Sequence, residues 1–98
     1  MNIQAMMKQA QKMQKDMMSA KEEIDSKTFA GTSSFVTANV KGNKQIENIK
    51  IDKDTLDKEE IEMLEDMITV AVNNAMKEID KETESKMGKY TQGMPGLF

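Results

Sequence analysis

The stretch MMKQAQKMQKDMM, residues 6–18, holds the side chains with the clearest chemical potential in this 98-residue chain. It contains five of the eleven methionines and three of the fourteen lysines, in a sequence that has no cysteine and no histidine. Thioether sulfurs bind copper(I), and Met13 and Met17 would share one helix face at a separation of four residues. The positions that continue this face include Ile3 and Ala10, which suit a packing surface and cannot ligate a metal. Because methionine is an ordinary gap-filling residue, we interpret the methionines as core residues and predict no metal site and no cofactor.

Lysine is the second candidate for chemistry in the same stretch. In a heptad numbering that places Ile3 at position a, Lys8 and Lys15 occupy f and Lys12 occupies c, so all three point away from the face that Ile3, Ala10 and Met13 share. Only Asp16 offers Lys12 a helical partner, and the other two lysines have none. A solvated helix face would account for this pattern, and so would a surface that contacts a phosphate backbone. Spacing alone does not choose between the two.

Catalytic chemistry has few candidates. The chain lacks the histidine or cysteine that would act as a general base or nucleophile. Its acids crowd residues 52–66, where eight acids stand against two lysines, and they suit the start of a helix. No glycine-rich phosphate loop is present. We therefore predict no catalytic residues, no enzymatic activity and no small-molecule substrate.

Length and composition favour one domain that shares its core with a partner subunit. Hydrophobic residues make up 38% of the chain, with three phenylalanines, one tyrosine and no tryptophan, so the core of a monomer would be thin. Lysines interrupt every apolar run near the start, and we expect neither a signal peptide nor a membrane span. The absence of cysteine suits the cytoplasm. The net charge of −3 conceals a basic beginning, because residues 1–21 carry four lysines and one acid.

The spacing of apolar residues predicts a long first helix over about residues 2–25. Seven residues follow one another at alternating separations of three and four, and we call them the methionine seam: Ile3, Met6, Ala10, Met13, Met17, Ala20 and Ile24. A period of 3.5 residues requires another helix alongside.

The region that follows predicts three short antiparallel strands, over about residues 27–32, 34–41 and 45–52, because it is rich in β-branched residues and phenylalanine. The Lys41–Lys44 segment, KGNK, reads as a hairpin turn. Ile46 is out of phase with the alternating Ile49 and Ile51. We therefore expect either a bulge near Glu47-Asn48 or a side chain of Ile46 on the opposite face.

A second helix is predicted over about residues 57–86, beginning at a capping box formed by Asp57 and Glu60. Its apolar stripe is expected to be buried and comprises Ile61, Leu64, Ile68, Ala71, Ala75 and Ile79, broadened by Val72 and Met76. Residues 1–87 would form the domain, and residues 88–98 a flexible tail with an apolar tip.

Three segments in this order resemble the YbaB/EbfC family of nucleoid-associated DNA-binding proteins: "MMKQAQKMQKDM", then a β region, "IEMLEDMITVAVNNAMKEID" and a terminal "GMPGLF". The resemblance covers nearly the whole chain. It implies an α+β fold, with a long N-terminal helix, a three-stranded antiparallel β-sheet and a long C-terminal helix (α-β-β-β-α). It also implies a tweezer-like homodimer whose helical arms grip double-stranded DNA in the bacterial cytoplasm and nucleoid, with a role in nucleoid organisation or gene regulation.

Combined with the exposed lysine row, the resemblance predicts DNA contacts at five lysines, three on the first helix and two at the hairpin: Lys8, Lys12, Lys15, Lys41 and Lys44. The chain has no arginine, so bidentate readout of guanine is absent and phosphate contacts should dominate. The alternative hypothesis is a protein–protein adaptor without DNA binding, which would use the methionine seam and the MPGLF tail.

Overall fold

The chain folds as helix, three strands and helix in a computed structural model that describes residues 2–91. The elements are α1 (Ile3–Ser26), β1 (Thr28–Ser33), β2 (Val36–Lys41), β3 (Ile46–Ile51) and α2 (Lys58–Thr91). The predicted α-β-β-β-α order and α+β class are confirmed. Apart from the end of α2, every element begins and ends within two residues of its expected bounds.

The three strands form an antiparallel sheet in the order β1-β2-β3, and the expected bulge lies in β3. Asn39 pairs with Asn48 and Val40 pairs with Ile46, so Glu47 is the extra residue. The bulge changes the phase of the strand by one residue. As a result Ile46, like the rest of the apolar residues of β3, lies on the sheet face that carries the core.

The core forms where α2 crosses β1 and β2 on that face. Its buried residues are Ile24, Phe29, Val36, Ala38, Val40, Met67, Ala71, Ala75, Ile79, Met87 and Tyr90. Gly31 marks the closest approach: a Cβ built on it would lie 2.1 Å from the carbonyl oxygen of Ala71 and 2.3 Å from the backbone nitrogen of Ala75. Small residues at this crossing therefore let the helix rest directly on the strand.

The predicted capping box begins α2. The Asp57 carboxylate accepts a hydrogen bond from the Glu60 N–H at 2.8 Å, and the Glu60 carboxylate accepts one from the Asp57 N–H at 3.2 Å. The ammonium of Lys53 also contacts Glu60 and, as the larger cause, lowers the pKa of its carboxyl; the Asp57 N–H adds to the effect. These bonds satisfy donors that the first turn of a helix leaves unpaired.

The β2–β3 hairpin packs against the C-terminal end of α1 and holds it in place. Gly42 is buried there and donates its N–H to the Lys27 carbonyl at 2.9 Å. A Cβ on Gly42 would lie 1.8 Å from the carbonyl oxygen of Ile24, so only glycine fits at this position. The KGNK turn thus packs against the last turn of α1 and sets its direction.

The end of α2 differs from its expected position near residue 86. The helix continues to Thr91, so residues 88–91 are helical and the assignment of those residues to the tail is wrong. Burial explains the extension, because Met87 and Tyr90 prolong the buried stripe of α2 beyond Ile79. Residues 92–98, which include most of the expected flexible tail, lie outside the described residues.

The expectation that the methionines are core residues is also wrong for much of α1. Met67 and Met87 are buried, whereas Met6, Met7, Met13 and Met18 are exposed. Within residues 2–91, the last three of the seven seam residues pack at the core: Ile24 is buried, and Met17 and Ala20 lie at its margin. A 3.5-residue period indicates that a face can pack, but it cannot reveal how far the neighbouring helix extends. The expected burial of Ile61 is wrong for a similar reason, because it lies in the exposed first turn of α2.

Candidate nucleic-acid interface

The lysine row, formed by Lys8, Lys12 and Lys15, lies on the N-terminal part of α1. The Asn2 side chain caps α1 by accepting hydrogen bonds from the N–H groups of Gln4 and Ala5, at 3.0 and 3.4 Å. Helix geometry then places Lys8 and Lys15 about 10 Å apart along one face, with Lys12 between them on the adjoining face. All three side chains are exposed. The chain measures 71 × 21 × 14 Å, so the molecule is elongated.

None of these three lysines has an ion-pair partner within residues 2–91, and Asp16 does not pair with Lys12 there. Six other lysines do pair with acids: Lys21 with Asp25, Lys27 with Glu82, Lys44 with Asp80, Lys53 with Glu60, Lys81 with Glu78 and Lys86 with Glu23. Ion pairs between lysines and acids are therefore common among the described residues, but Lys8, Lys12 and Lys15 form none. Their positive charge is left uncompensated there.

Two ion pairs connect α2 to the end of α1. Lys77 precedes Asp80 by three residues and Glu82 precedes Lys86 by four, so either pair could form within α2. In the fold Glu82 contacts Lys27, and this ammonium is the main cause that lowers the pKa of the Glu82 carboxyl. Lys86 instead reaches Glu23 of α1, at 3.1 Å. One pair lies at Lys27, the C-cap of α1, and the other at Glu23 within α1, so the two helices are antiparallel. We call α1 together with residues 79–91 the arm.

The two hairpin lysines lie at the base of the arm, away from the row. Lys44 is ion-paired with Asp80 at 3.2 Å, and Lys41 is half-buried at the end of β2 with no ion pair among the described residues. Since the hairpin touches α1 at Ile24, it is separated from Lys15 by about 14 Å of helix and from Lys8 by about 24 Å. The fold thus groups Lys8, Lys12 and Lys15 and leaves the hairpin lysines apart.

Lys89 is a basic residue of the arm that the sequence reasoning missed. It lines a surface groove together with Lys12 and Tyr90, and its ammonium lies 5.0 Å from the centre of the Tyr90 ring. Assigning residues 88–98 to a tail removed it from consideration. The signal that could have placed it on a helix is the continued stripe, since Met87 and Tyr90 follow Ile79 at helical separations.

Within the described part of the chain, no three acidic side chains come close enough together to suggest a metal site. The helices of residues 2–91 include none with the length and hydropathy of a membrane span.

Comparison with known proteins adds independent information. Residues 1–94 match the model of the YbaB/EbfC DNA-binding family. A protein of Enterococcus faecalis named nucleoid-associated protein is 47% identical over 98 residues, covering 98% of this chain and 94% of that protein. One of Lactococcus lactis subsp. cremoris with the same name is 47% identical over 97 residues, covering 97% and 98% of the two chains. One of Clostridium novyi, nucleoid-associated protein NT01CX_0824, is 43% identical over 102 residues, covering 100% and 90%.

Proposed function

We propose, given that this chain belongs to the YbaB/EbfC DNA-binding family, that it is a nucleoid-associated protein of the cytoplasm that binds double-stranded DNA as a homodimer. The duplex is held mainly by lysine–phosphate contacts, and binding serves nucleoid organisation or gene regulation. The positive charge of Lys8, Lys12 and Lys15, which no ion pair compensates within residues 2–91, is the observation that supports this contact surface. Lys89 adjoins Lys12 and extends the same basic surface.

Phosphate contacts agree with the side chains available. Lysine is a flexible point charge and positions a protein on a duplex without reading base edges. The chain has no arginine for bidentate contacts to guanine, so binding should be tolerant of sequence. The acids at the start of α2 lie at the other end of the elongated body from the basic half of α1. This charge separation would orient the arm toward DNA and hold the acidic end away from it.

Titration of a labelled ~30 bp duplex, followed by fluorescence anisotropy at several salt concentrations, tests this function. Each neutralised phosphate contributes about −0.9 to the slope of log affinity against log salt. We therefore expect a slope of about −2.7 if the row of one protomer engages and about −5.4 if both rows do. A slope near zero, or no binding at low salt, would contradict phosphate contacts. The adaptor hypothesis would then account for the exposed half of the methionine seam, and substitution of Met13 should abolish capture of its partner.

The homodimer is supported by an apolar surface between β3 and α2. Asn74 donates a hydrogen bond to the Thr32 carbonyl at 3.1 Å, so that flank of α2 faces β1. Helical periodicity turns the opposite flank toward β3. This flank and the core face of β3 carry half-buried or exposed apolar residues: Ile46, Ile49, Ile51, Leu64, Ile68, Val72 and Met76. A second copy of the chain is the occupant we propose, because it would complete the thin core of this 98-residue domain.

An Ile46→Asp/Ile51→Asp variant is expected to separate the dimer into monomers. Both side chains are exposed in the single chain, so the charges should cost little there and much in a buried interface. Sedimentation velocity measures the change, and the wild-type unfolding midpoint should rise with protein concentration. Val70→Asp is the matched control, since Val70 is exposed outside this surface and should leave the dimer intact. An unaltered dimer in the double variant would place the interface elsewhere.

A further inference from the structure

β1 is an edge strand, so one side of its backbone has no neighbouring strand in the sheet. Along an antiparallel strand, successive residues direct their N–H and carbonyl groups to alternate sides. The Lys27 carbonyl, just before β1, faces β2 and accepts the Gly42 N–H at 2.9 Å. Since β1 pairs with β2 without a bulge, the backbone groups of Thr28, Ala30 and Thr32 point outward from the sheet.

Two of these outward-facing residues have no backbone partner within residues 2–91. The Thr32 carbonyl accepts a hydrogen bond from the Asn74 side chain at 3.1 Å, which agrees with its outward direction and occupies that end of the edge. Thr28 and Ala30 are exposed, and no hydrogen bond from the described residues reaches their outward N–H and carbonyl groups. Unpaired groups of this kind are a template for pairing with another extended chain.

The edge forms one wall of a groove, and α2 forms the other. Residues 28–32 line the strand side, and the helix side is lined by Asn74, Lys77, Glu78 and Lys81. Glu78, the acid of this lining, lies 3.7 Å from Lys81. Lys77 is exposed and has no ion pair within residues 2–91. The groove therefore carries a net positive charge beside an unpaired strand edge.

A second copy of β1 would fit this edge poorly, because of the position of α2. The helix lies over β1, since a Cβ on Gly31 would be 2.1 Å from the Ala71 carbonyl oxygen. A two-fold pairing of β1 with its copy would therefore turn the flank of α2 that carries Lys77 and Lys81 toward the same flank of the other copy. Each flank has a net positive charge, so like charges would meet across the new pair of strands. A segment of opposite charge is the better complement.

We propose that the β1 edge binds an extended acidic segment of another protein as an added antiparallel strand. About five residues suffice, because residues 28–32 span about 14 Å. Partner residues opposite Thr28 and Ala30 exchange N–H and carbonyl hydrogen bonds with them. Side chains alternate in direction along a strand, so the residues between these positions point toward α2, where acidic groups meet Lys77 and Lys81. The recognised pattern is thus an acid at every second position.

This edge is separate from the other proposed contact surfaces. The homodimer surface uses β3 and the opposite flank of α2, and none of Lys8, Lys12 and Lys15 lines the groove. Binding of an acidic segment and binding of DNA can therefore be measured independently in the same chain, and the proposal holds whether or not the arm binds DNA.

Nuclear magnetic resonance titration of the isotope-labelled chain with the capped peptide Thr-Glu-Thr-Glu-Thr tests this proposal. We expect saturable shifts of the Thr28 and Ala30 amide signals as the peptide is raised to about 5 mM, a range that captures weak binding. N-methylation of the central threonine removes an N–H that faces β1 and should abolish the shifts. N-methylation of the glutamates is the matched control and should preserve binding, because their N–H groups point away from β1. No shift with the unmodified peptide, or equal binding of the two N-methylated peptides, would overturn the proposal.

Ala30→Pro tests the edge in the protein itself. The proline ring removes an outward N–H but no hydrogen bond to β2, so the fold should persist, as circular dichroism verifies, while peptide binding is lost. Ala30→Ser keeps the N–H and should bind the peptide as the unaltered chain does. Persistent binding by folded Ala30→Pro protein would contradict pairing at this edge.

Reversal of the groove charges tests the chemistry of the partner. Lys77→Glu/Lys81→Glu should bind Thr-Glu-Thr-Glu-Thr about tenfold more weakly and should prefer Thr-Lys-Thr-Lys-Thr. Lys50→Glu/Lys58→Glu makes the same charge change outside the groove and should keep the original preference. An unchanged preference in the groove variant would overturn the acidic partner. Shifts at Thr28 that grow with protein concentration in the absence of peptide would overturn it as well, and would place a second copy at this edge.

Discussion

Reversing the charges of Lys8, Lys12 and Lys15 together is expected to weaken duplex binding by roughly 100-fold at 0.15 M salt for each protomer that engages. Three lost phosphate contacts remove about 2.7 units from the slope of log affinity against log salt, and extrapolation from 1 M gives the change in affinity. The helix should persist, because these side chains are exposed and have no ion pair within residues 2–91. Fluorescence anisotropy of the Lys8→Glu/Lys12→Glu/Lys15→Glu variant across a salt series measures both quantities.

The control for this variant must change the net charge equally at another place. Lys50, Lys58 and Lys77 suit the purpose, because they are exposed, lie off the arm and have no ion pair among the described residues. Their triple replacement by glutamate should alter the slope by less than about one unit. If the two variants lose affinity equally, DNA responds to net charge alone, and the arm has no special role. If only the arm variant loses it, the row is the contact surface.

Replacing Gly31 by alanine is expected to lower the free energy of unfolding by about 3 kcal/mol, near the upper end of overpacking costs. The added methyl group would lie 2.1 Å from the Ala71 carbonyl oxygen and 2.3 Å from the Ala75 nitrogen, which are backbone atoms with no rotamer to change. The helix must therefore lift from β1, and Ala71 and Ala75 lose their packing. For a domain of this size the melting temperature should fall by about 12–24 °C, as measured by circular dichroism.

Gly88→Ala is the matched control and should have the opposite sign. Gly88 lies inside α2, and a Cβ built there meets no atom within 4 Å outside its own helical surroundings. Alanine in a helix interior is more stable than glycine by about 0.5–1 kcal/mol. A Gly31→Ala protein with an unchanged melting temperature would mean that α2 does not rest on β1 at this crossing.

The elements of this fold could be predicted from the sequence because each leaves a local pattern. Each of these patterns depends on residues only a few positions apart in the sequence. They are the alternation along β2, the phase change at Ile46 and the capping box of Asp57 and Glu60. The family resemblance likewise depends on short sequence segments and on the order in which they follow one another along the chain. The lysine row could be proposed from the same information, since heptad positions decide which side chains share a face of α1.

Only the tertiary structure decided which patterned residues are buried and which charges are paired. The seam repeats with one period from Ile3 to Ile24, yet among the described residues only Met17, Ala20 and Ile24 pack at the core. Lys44 and Lys86 form ion pairs with acids on distant parts of the chain. Lys8 and Lys15 form none among the described residues. The physical reason is that periodicity orients a side chain about its own helix, whereas burial and ion pairing require atoms from another element within a few ångströms.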